Sequence, residues 1–180
     1  MAKRMSKKIA LGGMLGALTL VILMLGGMIP IATFCAPALG GIVILIAAAE
    51  CGLRLGWTLY LAVSILALVL VPDKELAMMF ICLMGYYPLL KARLEKIRSR
   101  LLRGTAKTLV FNGSIAAAYA LLLTVFPLPA LKQEMNAMSK GFTALLIVLG
   151  NVTFWVYDLA LVRVLQLYNL KLRPRLRRLY

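Results

Sequence analysis

Long apolar runs separated by short polar segments extend along the whole chain. The runs are continuous rather than alternating in polarity, which is typical of membrane-spanning helices and not of barrel strands. Six runs predict transmembrane helices, at approximately 9–29, 38–53, 57–71, 76–90, 108–126 and 142–165. The pattern therefore predicts an all-α polytopic membrane protein, with one six-helix membrane domain over residues 1–180.

The runs 57–71 and 76–90 are close to the lower limit of about 17 residues for crossing a bilayer. A re-entrant hairpin is the alternative, but it would place the charges of Asp73–Glu75 at membrane depth without partners, which is costly. Two full crossings are therefore predicted, joined by an exposed turn. In this turn we expect Asp73 to cap the next helix and Glu75 to lie in its first turn, favoured by the helix dipole. The alternative is that both carboxylates lie on a face where a substrate enters.

The distribution of basic residues predicts which ends of the helices face the cytoplasm. The chain is 63% hydrophobic and carries a net charge of +15. Its basic residues fall in the N-terminal segment, at Arg54, in the segment 91–107 and from Arg163 to the C-terminus. The other side has only three lysines, Lys74, Lys132 and Lys140. Because basic loops stay cytoplasmic, both termini are predicted inside the cell, facing the anionic lipids of the inner leaflet of a bacterial plasma membrane.

The segment 91–107 is predicted to be basic, amphipathic and cytoplasmic, with an amphipathic helix over Leu89–Gly104. Its apolar stripe is formed by Leu90, Leu94, Ile97 and Leu101, with most basic side chains off that stripe. Such a helix fits the inner membrane surface, although a coupling element that grips a partner is the alternative. Residues 166–180 are predicted to be a basic cytoplasmic tail.

Composition also excludes several classes of function. The chain has no histidine, so the commonest metal ligand and general base are missing, and neither an enzyme nor a metal or cofactor is expected. No nucleotide-binding G-x-x-x-x-G-K-[ST] motif occurs, so any ATP-driven work belongs to another chain. Aromatic and basic residues are not interleaved, and nucleic acid is therefore not an expected partner.

Polar residues inside the last two runs predict a pocket. Asn151, Trp155 and Asp158 share a helical face, and Tyr119 lies on the preceding helix at about the level of Asn151. Intramembrane polar groups are functional candidates, so Tyr119, Asn151 and Trp155 are predicted to line a ligand pocket.

Ion pairs are expected at the cytoplasmic ends of the helices. For Asp158 the favoured interpretation is a salt bridge with a basic residue there, such as Arg54 or Arg163. Glu50 and Arg54 stand at i, i+4 with the acid first, which predicts a structural ion pair.

A stripe of small residues marks the first helix. Gly12 and Gly16, and likewise Gly13 and Ala17, are spaced by four residues, which lets another helix approach closely. This stripe predicts either a docking face for a partner subunit or packing within the chain.

Two segments resemble the substrate-binding S components of energy-coupling factor (ECF) vitamin transporters. "KKIALGGMLGAL" (Lys7–Leu18) is similar to the small-residue motif of that family's first helix. "AAECGLRLGWTLYLAVSIL" (Ala48–Leu66) looks like its entry into helix 3 through Gly52 and Gly56. The resemblance implies a vitamin or micronutrient binder that works with a transmembrane coupling subunit and two ATPases.

The resemblance also implies roles for individual residues. Gly13 and Ala17 would face the coupling subunit, and Thr33 and Phe34 would belong to a gate over the substrate. The pocket would be bordered by Tyr119, Asn151 and the loop 133–136. The alternative function is a multi-span scaffold in a cell-envelope or cell-shape assembly, which needs no pocket.

Overall fold

The computed structural model describes residues 2–29, 32–125 and 139–172, and their regular structure is entirely helical. We number the helices α1 Ala2–Gly26, α2 Cys35–Cys51, α3 Leu53–Leu70, α4 Lys74–Met79, α5 Tyr87–Leu94, α6 Arg100–Val125 and α7 Lys140–Leu167. Segments of π-helix cover Phe80–Met84 and Tyr168–Leu172. The predicted all-α class is confirmed.

Five of the helical segments are long and apolar enough to cross a membrane. They are Ser6–Gly26, Leu53–Leu70, Lys74–Leu94, Arg100–Thr124 and Gly141–Lys171. The run predicted at 38–53 forms α2, an apolar helix of 17 residues that is shorter than the other five. The structure therefore gives five candidate spans and one shorter apolar helix within the described residues.

The helices run up and down between two ends of a bundle. At one end the C-terminus of α2 meets the N-terminal part of α1, where the Cys51 thiol donates to the Lys8 carbonyl at 3.2 Å. We call this the basic end. At the other end, which we call the turn end, Gly27 packs against Val71 and Asp73 in the α3–α4 turn.

A central helix runs through the bundle from the turn end to the basic end. It consists of α4, the π segment Phe80–Met84 and α5, with a short turn at Gly85–Tyr86. Of its most apolar stretch of 18 residues, 67% is buried inside the protein, whereas the share is 28% or less in the other four candidate spans. The remaining helices therefore surround it.

Three hydrophobic cores surround this central helix in the described part of the chain. The first joins α1, α2 and α3 to the side chains of Leu76, Ala77 and Phe80, with Leu89 also reaching it. The second joins α6 and α7 to Leu83, Met84 and Tyr87. A third, smaller core joins Met78 of α4 to Ala118 and Leu122 of α6. The central helix therefore packs against both groups of helices before and after the π segment.

The link between α2 and α3 overturns the geometry expected for Glu50 and Arg54. Gly52 has φ of 100°, a left-handed conformation that favours glycine, and it ends one helix while the next begins at Leu53. The two residues therefore lie on different helices, so the helical i, i+4 geometry assumed for them is wrong, while their ion pair stays a prediction. Gly56 lets the helices meet closely, since a Cβ there would lie 2.7 Å from the Ala48 Cβ.

The single amphipathic helix expected over Leu89–Gly104 is also wrong. The central helix ends at Leu94, and α6 begins at Arg100 after a non-helical connection. Lys91 and Lys107 are buried rather than on a surface face, because both side chains turn inward to a carboxylate. The apolar stripe was therefore assembled from residues of two helices and their connection.

Candidate functional site

Asp73 caps the central helix at the turn end, as predicted. Its Oδ1 accepts from the backbone N–H groups of Glu75 at 2.9 Å and Leu76 at 3.1 Å. Glu75 lies in the first turn, where a negative charge is favoured by the helix dipole. The Lys74 ammonium turns the other way and donates to the Leu68 and Val71 carbonyls at 3.0 and 2.9 Å, at the C-terminus of α3.

Two further predicted site residues join this turn. The Thr33 hydroxyl, between α1 and α2, donates to Asp73 Oδ2 in a long contact of 3.5 Å. The Tyr119 hydroxyl, on α6, donates to Glu75 Oε1 at 3.2 Å. We call Thr33, Asp73, Glu75 and Tyr119 the turn-end cluster. Phe34 follows directly and is half exposed at the start of α2.

The predicted partnership of Tyr119 with Asn151 and Trp155 is not formed. Asn151 instead pairs with Asn112 of α6 through two reciprocal amide hydrogen bonds of 3.1 and 3.3 Å. This pair fixes the position of α7 along the axis of α6. Tyr119 lies seven residues beyond Asn112, roughly 10 Å further along α6. Trp155 lies about one turn toward the basic end and packs on Phe154.

The two amides also leave no free donor for a ligand. Each carboxamide nitrogen donates a second bond to the backbone, Asn112 to the Thr108 carbonyl at 2.9 Å and Asn151 to the Ile147 carbonyl at 2.8 Å. Both donors of each amide are therefore used within the chain. Asn151 acts here as a helix–helix contact. The loop 133–136, also expected at the pocket, lies outside the described residues.

A second cluster, at the basic end, is built on a buried carboxylate. Asp158 of α7 accepts through Oδ1 from the Lys91 ammonium and the Tyr87 hydroxyl, both at 2.5 Å. Its Oδ2 accepts from the Lys107 ammonium at 2.8 Å. Glu95, half exposed, lies 3.6 and 3.8 Å from the same two ammonium groups. We call these five residues the basic-end cluster.

A salt bridge for Asp158 was expected, but with the wrong partners. The structure pairs it with Lys91 and Lys107 instead of Arg54 or Arg163. Lys91 was assigned to a surface helix and Lys107 to the basic cytoplasmic segment, and nothing in their local sequence marks them as buried. One local signal was available: Tyr87 and Lys91 are spaced by four residues, so both point to the same side of α5.

The small-residue stripe of α1 divides into two faces. Gly16 is buried, and a Cβ there would lie 2.7 Å from Leu59 Cδ1, so this position packs against α3. Gly12 is buried on the same face. Gly13 and Ala17 are exposed, and a Cβ at Gly13 would meet nothing within 4 Å. Packing within the chain thus accounts for Gly16, while Gly13 and Ala17 are left on an exposed face.

Metal binding has no geometric basis in the part of the chain that the structure describes. No group of three or more acidic or cysteine side chains there could hold a metal ion. The two carboxylates of the basic-end cluster already face two ammonium groups.

Comparison of the chain with protein-family models, with curated proteins and with solved structures finds no match. The class of protein rests on the fold: a helical protein with five helices long and apolar enough to cross a membrane. Within the described residues, one polar cluster lies at each end of the bundle and the Asn112–Asn151 amide pair lies between them.

Proposed function

We propose that this chain is the substrate-binding membrane subunit of an uptake transporter for a vitamin or similar micronutrient. It resembles an ECF S component and works with a separate coupling subunit and an ATPase pair. The observation that carries the proposal is the turn-end cluster. There, polar groups from the α1–α2 connection and from α6 each contact a carboxylate at the start of the central helix. A binder needs such convergence of polar groups, whereas a scaffold does not.

The proposed topology has six crossings with both termini in the cytoplasm of a bacterium. The 17 residues of α2 are about the minimum for a crossing, and α2 packs between longer helices. The basic end then faces the cytoplasm and its anionic lipids, and the turn end faces outward. On this orientation, the turn-end cluster lies where an external substrate arrives.

The chemistry of the turn-end cluster favours a substrate that donates hydrogen bonds. Asp73 and Glu75 supply carboxylate oxygens, and the contacts made to them by Thr33 and Tyr119 are long. A ligand N–H or O–H group can displace such hydroxyl donors at little cost. The Lys74 ammonium is directed to the end of α3, so it does not neutralise this surface by direct contact.

The main test is purification of the chain from its native membrane, followed by mass spectrometry of bound subunits and small molecules. The proposal predicts a coupling subunit, an ATPase pair and one enriched micronutrient. Glu75→Gln and Tyr119→Phe should lower the bound micronutrient several-fold at unchanged protein level. Envelope-assembly proteins without a ligand would instead favour the scaffold and overturn the proposal.

The partner face is tested with a matched pair on α1. Gly13→Leu adds a side chain to an open surface, so protein level and thermal stability should hold while the coupling subunit is lost. Gly16→Leu collides with Leu59 and should lower stability itself. Retention of the coupling subunit by the Gly13→Leu variant would exclude this face as the docking surface.

A further inference from the structure

The two carboxylates of the basic-end cluster hold its ammonium groups unequally. Asp158 lies 2.5 Å from the Lys91 nitrogen and 2.8 Å from the Lys107 nitrogen. Glu95 lies 3.6 and 3.8 Å from the same two nitrogens, which is beyond hydrogen-bonding distance. The side chain of Glu95 is 45% exposed, whereas those of the two lysines are buried. Glu95 is therefore a loosely held counter-ion at the exposed edge of a buried cationic pair.

The ammonium group of Lys107 has more donors than the chain uses. An ammonium carries three N–H donors. One of them donates to Asp158 Oδ2, and no other acceptor lies within hydrogen-bonding distance among the described residues. Lys91, by contrast, donates to both the carbonyl and the carboxylate of Asp158. Because a buried donor without an acceptor is costly, an added acceptor oxygen beside Lys107 is favoured.

A row of basic residues runs along α6 from its first residue to Lys107. Arg100, Arg103 and Lys107 are spaced by three and four residues, so they share one face of the helix. Burial increases along this face: Arg100 is exposed, Arg103 is partly buried and Lys107 is buried. In the described part of the chain, neither arginine forms an ion pair or a side-chain hydrogen bond. We call these three residues the α6 basic row.

The start of α6 combines these charges with exposed apolar side chains. Leu101 and Leu102, between the two arginines, are 83% and 63% exposed. Exposed leucines beside arginines favour the boundary between lipid chains and lipid headgroups. The planar guanidinium of arginine binds phosphate oxygens through two parallel hydrogen bonds. A phosphate group that carries apolar chains fits both features, whereas a free phosphate ion fits only the basic row.

We propose that the α6 basic row and Lys91 bind the phosphodiester group of an anionic membrane lipid, which displaces Glu95 from the two ammonium groups. A phosphodiester carries one negative charge, as Glu95 does, so the exchange keeps the buried cluster neutral. The phosphate oxygens accept from Arg103 and from the remaining donors of Lys107, while Asp158 keeps its ion pairs. The site requires the basic end to lie at a membrane surface, and it does not depend on the proposed transport function.

The test is quenching of Trp155 fluorescence by brominated lipids, with the full chain reconstituted in phosphatidylcholine vesicles. Trp155 is partly exposed and lies beside the start of α6, since a Cβ at Gly104 would lie 3.8 Å from its ring. The second tryptophan of the chain is removed by Trp57→Phe. A small fraction of the lipid is replaced by either brominated phosphatidylglycerol, which is anionic, or brominated phosphatidylcholine. The site predicts several-fold stronger quenching by the anionic lipid, and equal quenching by the two lipids would overturn it.

Two substitutions change this preference in opposite directions. Arg103→Gln removes a phosphate donor that has no partner in the described chain, so most of the preference for the anionic lipid should be lost. Glu95→Gln removes the competing carboxylate, so the preference should increase several-fold, and an unchanged preference would overturn the exchange. If Arg103→Gln does not accumulate, Arg100→Gln at the exposed start of the row takes its place.

Two controls separate this site from general attraction between charges. Arg163→Gln removes one positive charge from an exposed position on α7, five residues from Asp158 and therefore on a different face of that helix. This variant should keep the preference, and an equal loss in the Arg103→Gln and Arg163→Gln variants would overturn the site. Inorganic phosphate at constant ionic strength should leave the preference intact. Its abolition by phosphate would assign the site to the free ion and overturn the lipid proposal.

Discussion

Replacement of Asp158 by asparagine tests whether the basic-end cluster holds α5, α6 and α7 together. The carboxylate lies 2.5 Å from the Lys91 nitrogen and 2.8 Å from the Lys107 nitrogen. With an effective dielectric constant of about 20, Coulomb's law gives roughly 6 kcal/mol of attraction for each pair. Desolvation of the buried charges and repulsion between the ammonium groups offset most of this, so the net value is smaller.

The expected cost follows from what the substitution leaves behind. Asp158→Asn keeps the size of the side chain but leaves two buried ammonium groups facing only Glu95, whose side chain is 45% exposed. Removal of one partner from a buried ion pair costs about 3–5 kcal/mol. Glu95→Gln is the control, and it should cost less than about 1 kcal/mol because that contact is long and half exposed.

The assay is reversible unfolding of the purified chain in mixed micelles, followed by tryptophan fluorescence. Trp155 lies one turn from the substituted residue and reports on α7. A triple variant, with Asp158→Leu, Lys91→Met and Lys107→Met, should recover most of the lost stability, because replacing a whole buried ion cluster by apolar groups is often neutral. If Asp158→Asn lowers the free energy of unfolding by less than about 1 kcal/mol, the argument is refuted, because water or other groups must then stabilise the two ammonium groups.

Three further experiments test other contacts by the same unfolding assay. Gly41→Ala should destabilise by more than about 1 kcal/mol because its Cβ would meet a backbone carbonyl at 2.1 Å, whereas Gly113→Ala, where a Cβ meets nothing within 4 Å, should be neutral or stabilising. A double-mutant cycle of Asn112→Leu and Asn151→Leu should give a coupling energy of about 0.6–2 kcal/mol, and zero coupling would contradict the reciprocal amide pair. Asp73→Ala should cost about 1 kcal/mol through loss of the cap, and an unchanged midpoint would show that the cap is unimportant.

Features governed by neighbouring residues could be predicted from the sequence. The apolar runs identified every long helix, and Asp73 was placed correctly as a cap because a cap depends on the next three residues. The same local reasoning failed at Glu50 and Arg54, where the left-handed Gly52 divides the helix that the pairing assumed. A single glycine can end a helix or be tolerated within it, and the apolar pattern on either side does not decide between them.

Contacts between distant helices could not be predicted in this way. Lys91 and Asp158 are separated by 67 positions, and Asn112 and Asn151 by 39. Their pairing depends on how far each helix is rotated about its own axis and shifted along that axis relative to its neighbours. The extra residue of the π segment changes that rotation in the central helix, and no apolar pattern in the chain reveals it. Lys91 was therefore assigned to a surface that the folded helix does not expose.

The polar contacts at the two ends of the bundle differ in strength. Apolar surfaces gain little by leaving lipid for another helix, so polar pairs contribute much of the specificity of helix packing in a membrane. At the basic end, Asp158 makes short contacts of 2.5 to 2.8 Å with three donors, which fits a permanent tie. At the turn end, the hydroxyl contacts of Thr33 and Tyr119 are 3.5 and 3.2 Å long. Long neutral contacts to a carboxylate can be exchanged for those of a ligand, whereas ion pairs between buried groups cannot be opened without a large cost. On the proposed function, a substrate is therefore expected to compete at the turn end, whereas the basic end is expected to stay closed.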